Sequence, residues 1–98
     1  MEIKITHGEN MVIALKGRLD TVTSKDLLSA YEKEEVKESL VSMDMKELEY
    51  ISSAGLRALL AIKKELAAQN KQLEICNLNN ICQEVFKVTG FLNVLTVK

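Results

Sequence analysis

The chain has 98 residues, 47% apolar and 28% charged, enough for one domain with a working core and too few for a second. Its 13 Lys and Arg nearly cancel its 14 Asp and Glu, and the two signs are interleaved, so no basic stripe offers itself to nucleic acid. This balance excludes a disordered chain, and no apolar run approaches the roughly 20 residues that span a bilayer.

The opening segment MEIKITHGEN is acidic and alternating, unlike a signal peptide, which points to a cytoplasmic protein. Ile3 and Ile5 at period two predict a strand, HGEN a turn, and the nearly continuous apolar run MVIALKG a more buried strand. A hairpin therefore opens the fold. After GRLD, Thr23 or Ser24 can cap a helix through SKDLLSAYEKEEV, in which Leu27, Leu28 and Tyr31 fall at helical spacing. SLVSMDM returns to strand character, SSAGLRALLAIKKEL starts the longest helix, which ends near AAQNKQ, and LEICNL is another strand. NNICQEVFKVTGF then predicts a helix with an asparagine cap, Ile81, Val85 and Val88 on the face toward the sheet, and Gly90 as its stop. NVLTV closes as a final strand.

Strands alternating with helices imply parallel, right-handed crossovers, and the opening hairpin adds one antiparallel edge. The expected fold is a small α/β structure: a mixed, mainly parallel sheet with amphipathic helices mostly on one face. With no proline, no glycine-rich or serine-rich stretch and no repeat, residues 1–98 form a single domain without a linker.

Cys76 and Cys82 have no nearby histidine and signal neither a zinc site nor a redox pair; they are expected to be reduced, partly buried thiols. His7 stands alone in a turn and is expected to be plain surface. Lys63 falls inside the apolar arc of Leu56, Leu59, Leu60 and Leu66, so its stem should run along that arc and its ammonium reach the helix edge. No combination of nucleophile, base and orienting group is visible, and phosphate-binding glycine motifs are absent, which argues against an enzyme and against a resident cofactor or metal.

The stretch ISSAGLRALL carries the remaining signal. Ser52 and Ser53 lie where a strand ends and a helix begins, the place where open α/β sheets bind ligands. One of them can cap the helix through its hydroxyl, and serine caps are frequent. An anion attached there would also be favoured, by about 0.3–1 kcal/mol, because helix N-termini expose unpaired N–H groups. Gly55 tilts the balance: early in a helix glycine costs about 0.5–1 kcal/mol relative to alanine, so something must need close approach to its backbone.

In order and spacing, GRLD, VSMDMKELEYISSAGLRALL and VFKVTGFLNVLTV resemble the STAS domain of bacterial anti-sigma factor antagonists, over essentially the whole chain. The resemblance implies that a serine in the loop is phosphorylated by a partner serine kinase that is also the anti-sigma factor. Aligning the family's glycine and leucine with Gly55 and Leu56 puts that serine at Ser53; the family's second serine is here Ala54, and its frequent preceding aspartate is Ser52. Asp20 resembles the family aspartate that helps engage the kinase. Ser52, Ala54, Gly55, Leu56 and Arg57 would complete the partner-binding surface. Arg57 is otherwise expected to be a solvated side chain.

The resemblance implies a protein-interaction switch: the unphosphorylated chain, a monomer when free, binds the kinase and frees a sigma factor, and phosphorylation at Ser53 releases it. ATP belongs to the kinase, and a phosphatase would reset the cycle. Two alternatives differ in client or class: a STAS subunit of a lipid transport or signalling complex docking on a membrane-bound ATPase, and a small nucleotide-binding module.

Overall fold

Side chains alternate across a strand, so a sheet covered on one face buries every second residue. The computed structural model, which describes residues 1–98, shows this in adjacent strands. Ile13, Met43 and Ile75 lie side by side in register and are fully buried, while the next row, Ala14, Asp44 and Cys76, stays partly exposed. The strands are β1 (Glu2–Thr6), β2 (Met11–Leu19), β3 (Leu40–Ile51), β4 (Gln72–Cys76) and β5 (Thr96–Val97), in that spatial order. β1 and β2 form the antiparallel hairpin, and β2 through β5 are parallel.

Helices α1 (Thr21–Glu32), α2 (Ser53–Ala68) and α3 (Asn80–Val88) make the three crossovers. Parallel strands added in one direction with right-handed crossovers place all the helices on one face. The result is a continuous core of 21 buried residues, to which α1 gives Leu27 and Tyr31 and α2 gives Leu56, Leu59, Ile62 and Leu66. The expected small mixed sheet with helices on one face is the observed fold.

Two elements, α1 and β5, differ in extent from expectation. α1 starts at Thr21, because Asp20, not Thr23 or Ser24, is its N-cap, and it ends at Glu32 with Lys33 as its C-cap. β5 has only two residues, because a single 3₁₀ turn, Phe91–Asn93, takes up the chain before it. Gly90 follows α3 in a left-handed conformation (φ 79°), as its stop role requires.

The packing face of α3 is also corrected. Cys82 and Phe86 enter the core and Val85 packs at its margin, but Ile81 and Val88 are 62% and 73% exposed. Phe86 is fully buried and meets Phe91 edge-on, with ring centroids 6.5 Å apart. The larger aromatic, one residue along, sets the helix rotation against the aliphatic stripe.

Candidate functional site at the ends of β2 and β3

Leu19 and Ile51, the last residues of β2 and β3, pair with each other, and each strand passes almost directly into a helix. The two helix N-termini therefore emerge side by side. The Ser52 amide donates to the Leu19 carbonyl at 2.9 Å, fastening the second junction to the first.

Ser52 has extended backbone angles (φ −96°, ψ 174°), and its Oγ accepts from the Gly55 amide at 3.3 Å. Its carbonyl accepts the Leu56 amide at 3.0 Å. Ser52 is thus the cap. Ser53 occupies the first helical position, is exposed, and has no hydrogen bond from its hydroxyl to the rest of the chain. No acidic residue stands in the first turn of α2, so its positive end is unneutralised.

Gly55 meets the close approach its position implied. A Cβ there would fall 2.8 Å from Leu19 Cγ, 2.9 Å from Ile51 Cγ1 and 2.9 Å from the Leu19 carbonyl oxygen. Leu56 is 1% exposed and belongs to the core. Of the expected partner-binding residues, Gly55 and Leu56 support the loop from beneath, Ser52 and Ala54 are partly exposed, and Arg57 is exposed. Arg57 follows Ser53 by four residues, which puts both on one side of the helix.

Asp20 stands at the neighbouring helix start. Its Oδ1 accepts from the Val22 and Thr23 amides, both at 3.0 Å, while Thr23 Oγ1 accepts from the Asp20 amide at 2.8 Å, a reciprocal capping box. Bonds from the Thr23 amide and then the Thr23 hydroxyl hold the Asp20 carboxyl below its ordinary range. The same hydroxyl lies 2.7 Å from the Arg18 carbonyl oxygen and 3.1 Å from Asp20 Oδ1, so its one hydrogen is shared between these two acceptors. The Arg18 guanidinium stacks on the Tyr50 ring at 4.5 Å from the centroid, and Arg18 and Tyr50 pair across β2 and β3. The GRLD segment is thereby explained residue by residue: Gly17 takes a left-handed φ of 107° beside a register shift, Arg18 covers Tyr50, Leu19 enters the core and receives Ser52, and Asp20 caps α1.

Sequence reasoning named Thr23 as a candidate cap but missed its place in the Asp20 box, and it missed the Arg18–Tyr50 stack. The first had a legible signal, Asp20 followed three residues later by a hydroxyl; the second depends on the β2–β3 register and had none. Elsewhere, the ammonium of Lys63 donates to the Val94 carbonyl, the edge-seeking behaviour expected of it. Cys76 is partly buried and Cys82 buried, and both thiols are free, with burial pushing each up in pKa. No helix is long and apolar enough to cross a membrane, and no group of three or more His, Cys, Asp or Glu side chains is arranged to hold a metal ion.

This mixed sheet and its serine-bearing loop define a recognised class. The whole chain, residues 1–98, matches the family model of the STAS domain, and the protein belongs to that family. It is similar to BtrV of Bordetella bronchiseptica, provisionally named an anti-sigma factor antagonist, with 33% identity over 99% of this chain and 85% of BtrV. The anti-sigma-B factor antagonist of Listeria monocytogenes is 27% identical over 100% of this chain and 87% of that protein. Among solved structures, the anti-sigma factor antagonist SpoIIAA of Bacillus in its unphosphorylated form gives a TM-score of 0.80 at 17% identity, covering 99% of this chain and 88% of SpoIIAA. Its phosphorylated form gives 0.70 at 17% identity, covering 99% and 91%. At that identity the likeness is one of fold.

Proposed function

We propose that this protein is an anti-sigma factor antagonist whose switch is the Ser53 hydroxyl. The observation that carries this reading is the division of labour between adjacent serines: Ser52 caps α2, while Ser53 presents an unengaged hydroxyl at the surface beside Asp20. Membership of the STAS family and the names of BtrV and the Listeria antagonist support the same role.

In its unphosphorylated form the protein docks on an anti-sigma factor serine kinase through Ser53, Asp20, Ala54 and Arg57, with Gly55 and Leu56 holding the loop in shape, and a sigma factor is freed. Every hydrogen bond that the Asp20 carboxylate accepts goes to Oδ1, so Oδ2 is left for a donor on the partner. The kinase brings ATP: the Ser53 oxygen attacks the γ-phosphorus, its proton passes to a base of the kinase, and ADP leaves. The phosphate adds a charge of about −1.5 to −2. The α2 N-terminus tolerates that charge, whereas a desolvated interface does not, so the complex dissociates and a phosphatase restores the hydroxyl. The protein acts in the cytoplasm as a ligand and a substrate, not as a catalyst.

The test is incubation with the copurified kinase and ATP, followed by mass mapping. One phosphate is expected on the peptide holding Ser52 and Ser53, abolished by Ser53→Ala and retained in Ser52→Ala. Phosphate persisting in Ser53→Ala overturns the assignment. Copurification of a transporter ATPase in place of a kinase-like ATPase, with no phosphate incorporated, favours the lipid-transport alternative.

A further inference from the structure

At the other end of the parallel strands, the β1–β2 turn is joined to the α1–β3 connection by a histidine held between two carboxylates. His7 Nδ1 lies 2.8 Å from Glu38 Oε2, and His7 Nε2 lies 2.8 Å from Glu34 Oε1. An ionised carboxylate only accepts hydrogen bonds, so both ring nitrogens must carry hydrogen for both contacts to be bonds. The species the geometry describes is the imidazolium. His7 is therefore not the plain surface residue expected from its isolation in sequence; its partners stand 31 and 27 residues away.

The carboxylates differ in how firmly they are held. Glu38 is 8% exposed, and it also accepts the Gly8 amide at 3.3 Å and the Lys37 amide at 3.1 Å. Glu34 is half-buried and has His7 as its partner. The hollow around His7 is lined by Glu9 of the turn and by Glu35, Lys37, Glu38 and Ser39 of the connection. The ammonium of Lys71, from the α2–β4 turn, binds the Val36 carbonyl of the same connection. The carboxylates of Glu9, Glu35 and Glu38 thus line the hollow, Glu34 sits against the other ring nitrogen of His7, and Lys37 is the lysine in that lining.

We infer that His7, Glu34 and Glu38 form a proton-operated latch, which fastens the β1–β2 turn to the α1–β3 connection while His7 is protonated and releases it when the ring is neutral. Loss of one proton leaves a ring lone pair facing a carboxylate oxygen. Glu38, with two backbone donors of its own, stays in place, and the Glu34 arm opens. β1 is an edge strand paired only with β2, and Ile3 and Ile5 are only partly buried, so a freed turn loosens this strand first.

The direction of the effect follows from the bonds to Glu34 and then Glu38, which raise the His7 pKa above its ordinary 6.5. A raised value in the folded state means that the latch stabilises fully below the ordinary value and is lost as pH rises through the raised one. The Ser53 loop lies at the far end of β2, so the latch acts on β1 and not on the phosphoacceptor.

The experiment is an NMR titration of the His7 ring, paired with amide exchange across β1 corrected for the intrinsic pH dependence of exchange. His7 should titrate above 6.5, and β1 exchange should quicken through the same pH range. Glu34→Gln, at a half-exposed site, should lower the His7 pKa and move the exchange transition with it; His7→Gln should abolish the transition. The latch is refuted by a His7 titration at or below 6.5, by β1 exchange unchanged through the titration, or by a transition that survives in His7→Gln.

Discussion

Gly55 of α2 packs so closely on Leu19 of β2 that a Cβ on the glycine would stand 2.9 Å from the Leu19 carbonyl oxygen, the atom that also receives the Ser52 amide. A backbone atom cannot swing aside as a side-chain end can. Alanine, which in an open helix position gains about 0.5–1 kcal/mol over glycine, should here destabilise by about 1–3 kcal/mol through overpacking. Gly55→Val should cost more and should weaken partner binding as well. Urea unfolding of the two variants checks this; a Gly55→Ala protein as stable as the parent would show that the junction yields freely.

The two serines should separate in stability as they separate in geometry. Ser52→Ala removes the α2 cap and should cost about 0.5–2 kcal/mol, whereas Ser53→Ala removes an unbonded surface hydroxyl and should stay within about 0.5 kcal/mol of the parent. Thermal melts of both proteins, run beside the phosphate mapping, distinguish a structural serine from a signalling one. Equal destabilisation by the two changes would contradict the division of labour.

Asp20 gives the acid limb of the pH profile. Its folded pKa lies below the ordinary 3.8, chiefly through the Thr23 amide and hydroxyl, so its contribution to stability is present above that value and lost as pH falls through the lowered one. Asp20→Asn should flatten this part of the profile, and Thr23→Val should do so partially. Acid-unfolding curves of parent and variants that superimpose would refute the capping box as the cause.

Tyr31 carries the buried side-chain oxygen that lacks a hydrogen-bond partner. Burial first, then the charge of Glu65, pushes its hydroxyl up to about 12. Leaving a buried hydroxyl unsatisfied costs about 1–3 kcal/mol, so Tyr31→Phe should raise stability, by about 1 kcal/mol after the small loss of packing. A lower unfolding midpoint would mean that the hydroxyl is satisfied in solution.

Strand and helix order were legible because the longest elements carry the clearest periods. β3 alternates through Val41, Met43 and Met45, and α2 repeats Leu59, Ile62 and Leu66. The glycine at position 55 announced a close contact before any partner was known. Legibility failed where two local patterns competed or where a partner was distant. Thr23 has the chemistry of a cap but serves as the third residue of a box opened by Asp20. α3 is only nine residues long and offers two apolar stripes, so periodicity could not choose Phe86 over Ile81 and Val88. The partners of His7 come from another part of the chain.

The switch is tested most directly by titrating the parent and Ser53→Asp against the copurified kinase, with melting curves taken on the same preparations. A carboxylate at Ser53 meets the positive end of α2, so the melting midpoint should move by no more than corresponds to about 1 kcal/mol. At the docked surface the same charge is misplaced, at a cost of several kcal/mol, and affinity should fall by orders of magnitude. Weak binding by a folded variant is the predicted result. A Ser53→Asp protein that binds as tightly as the parent, or that unfolds, would contradict the assignment of Ser53 as the switch.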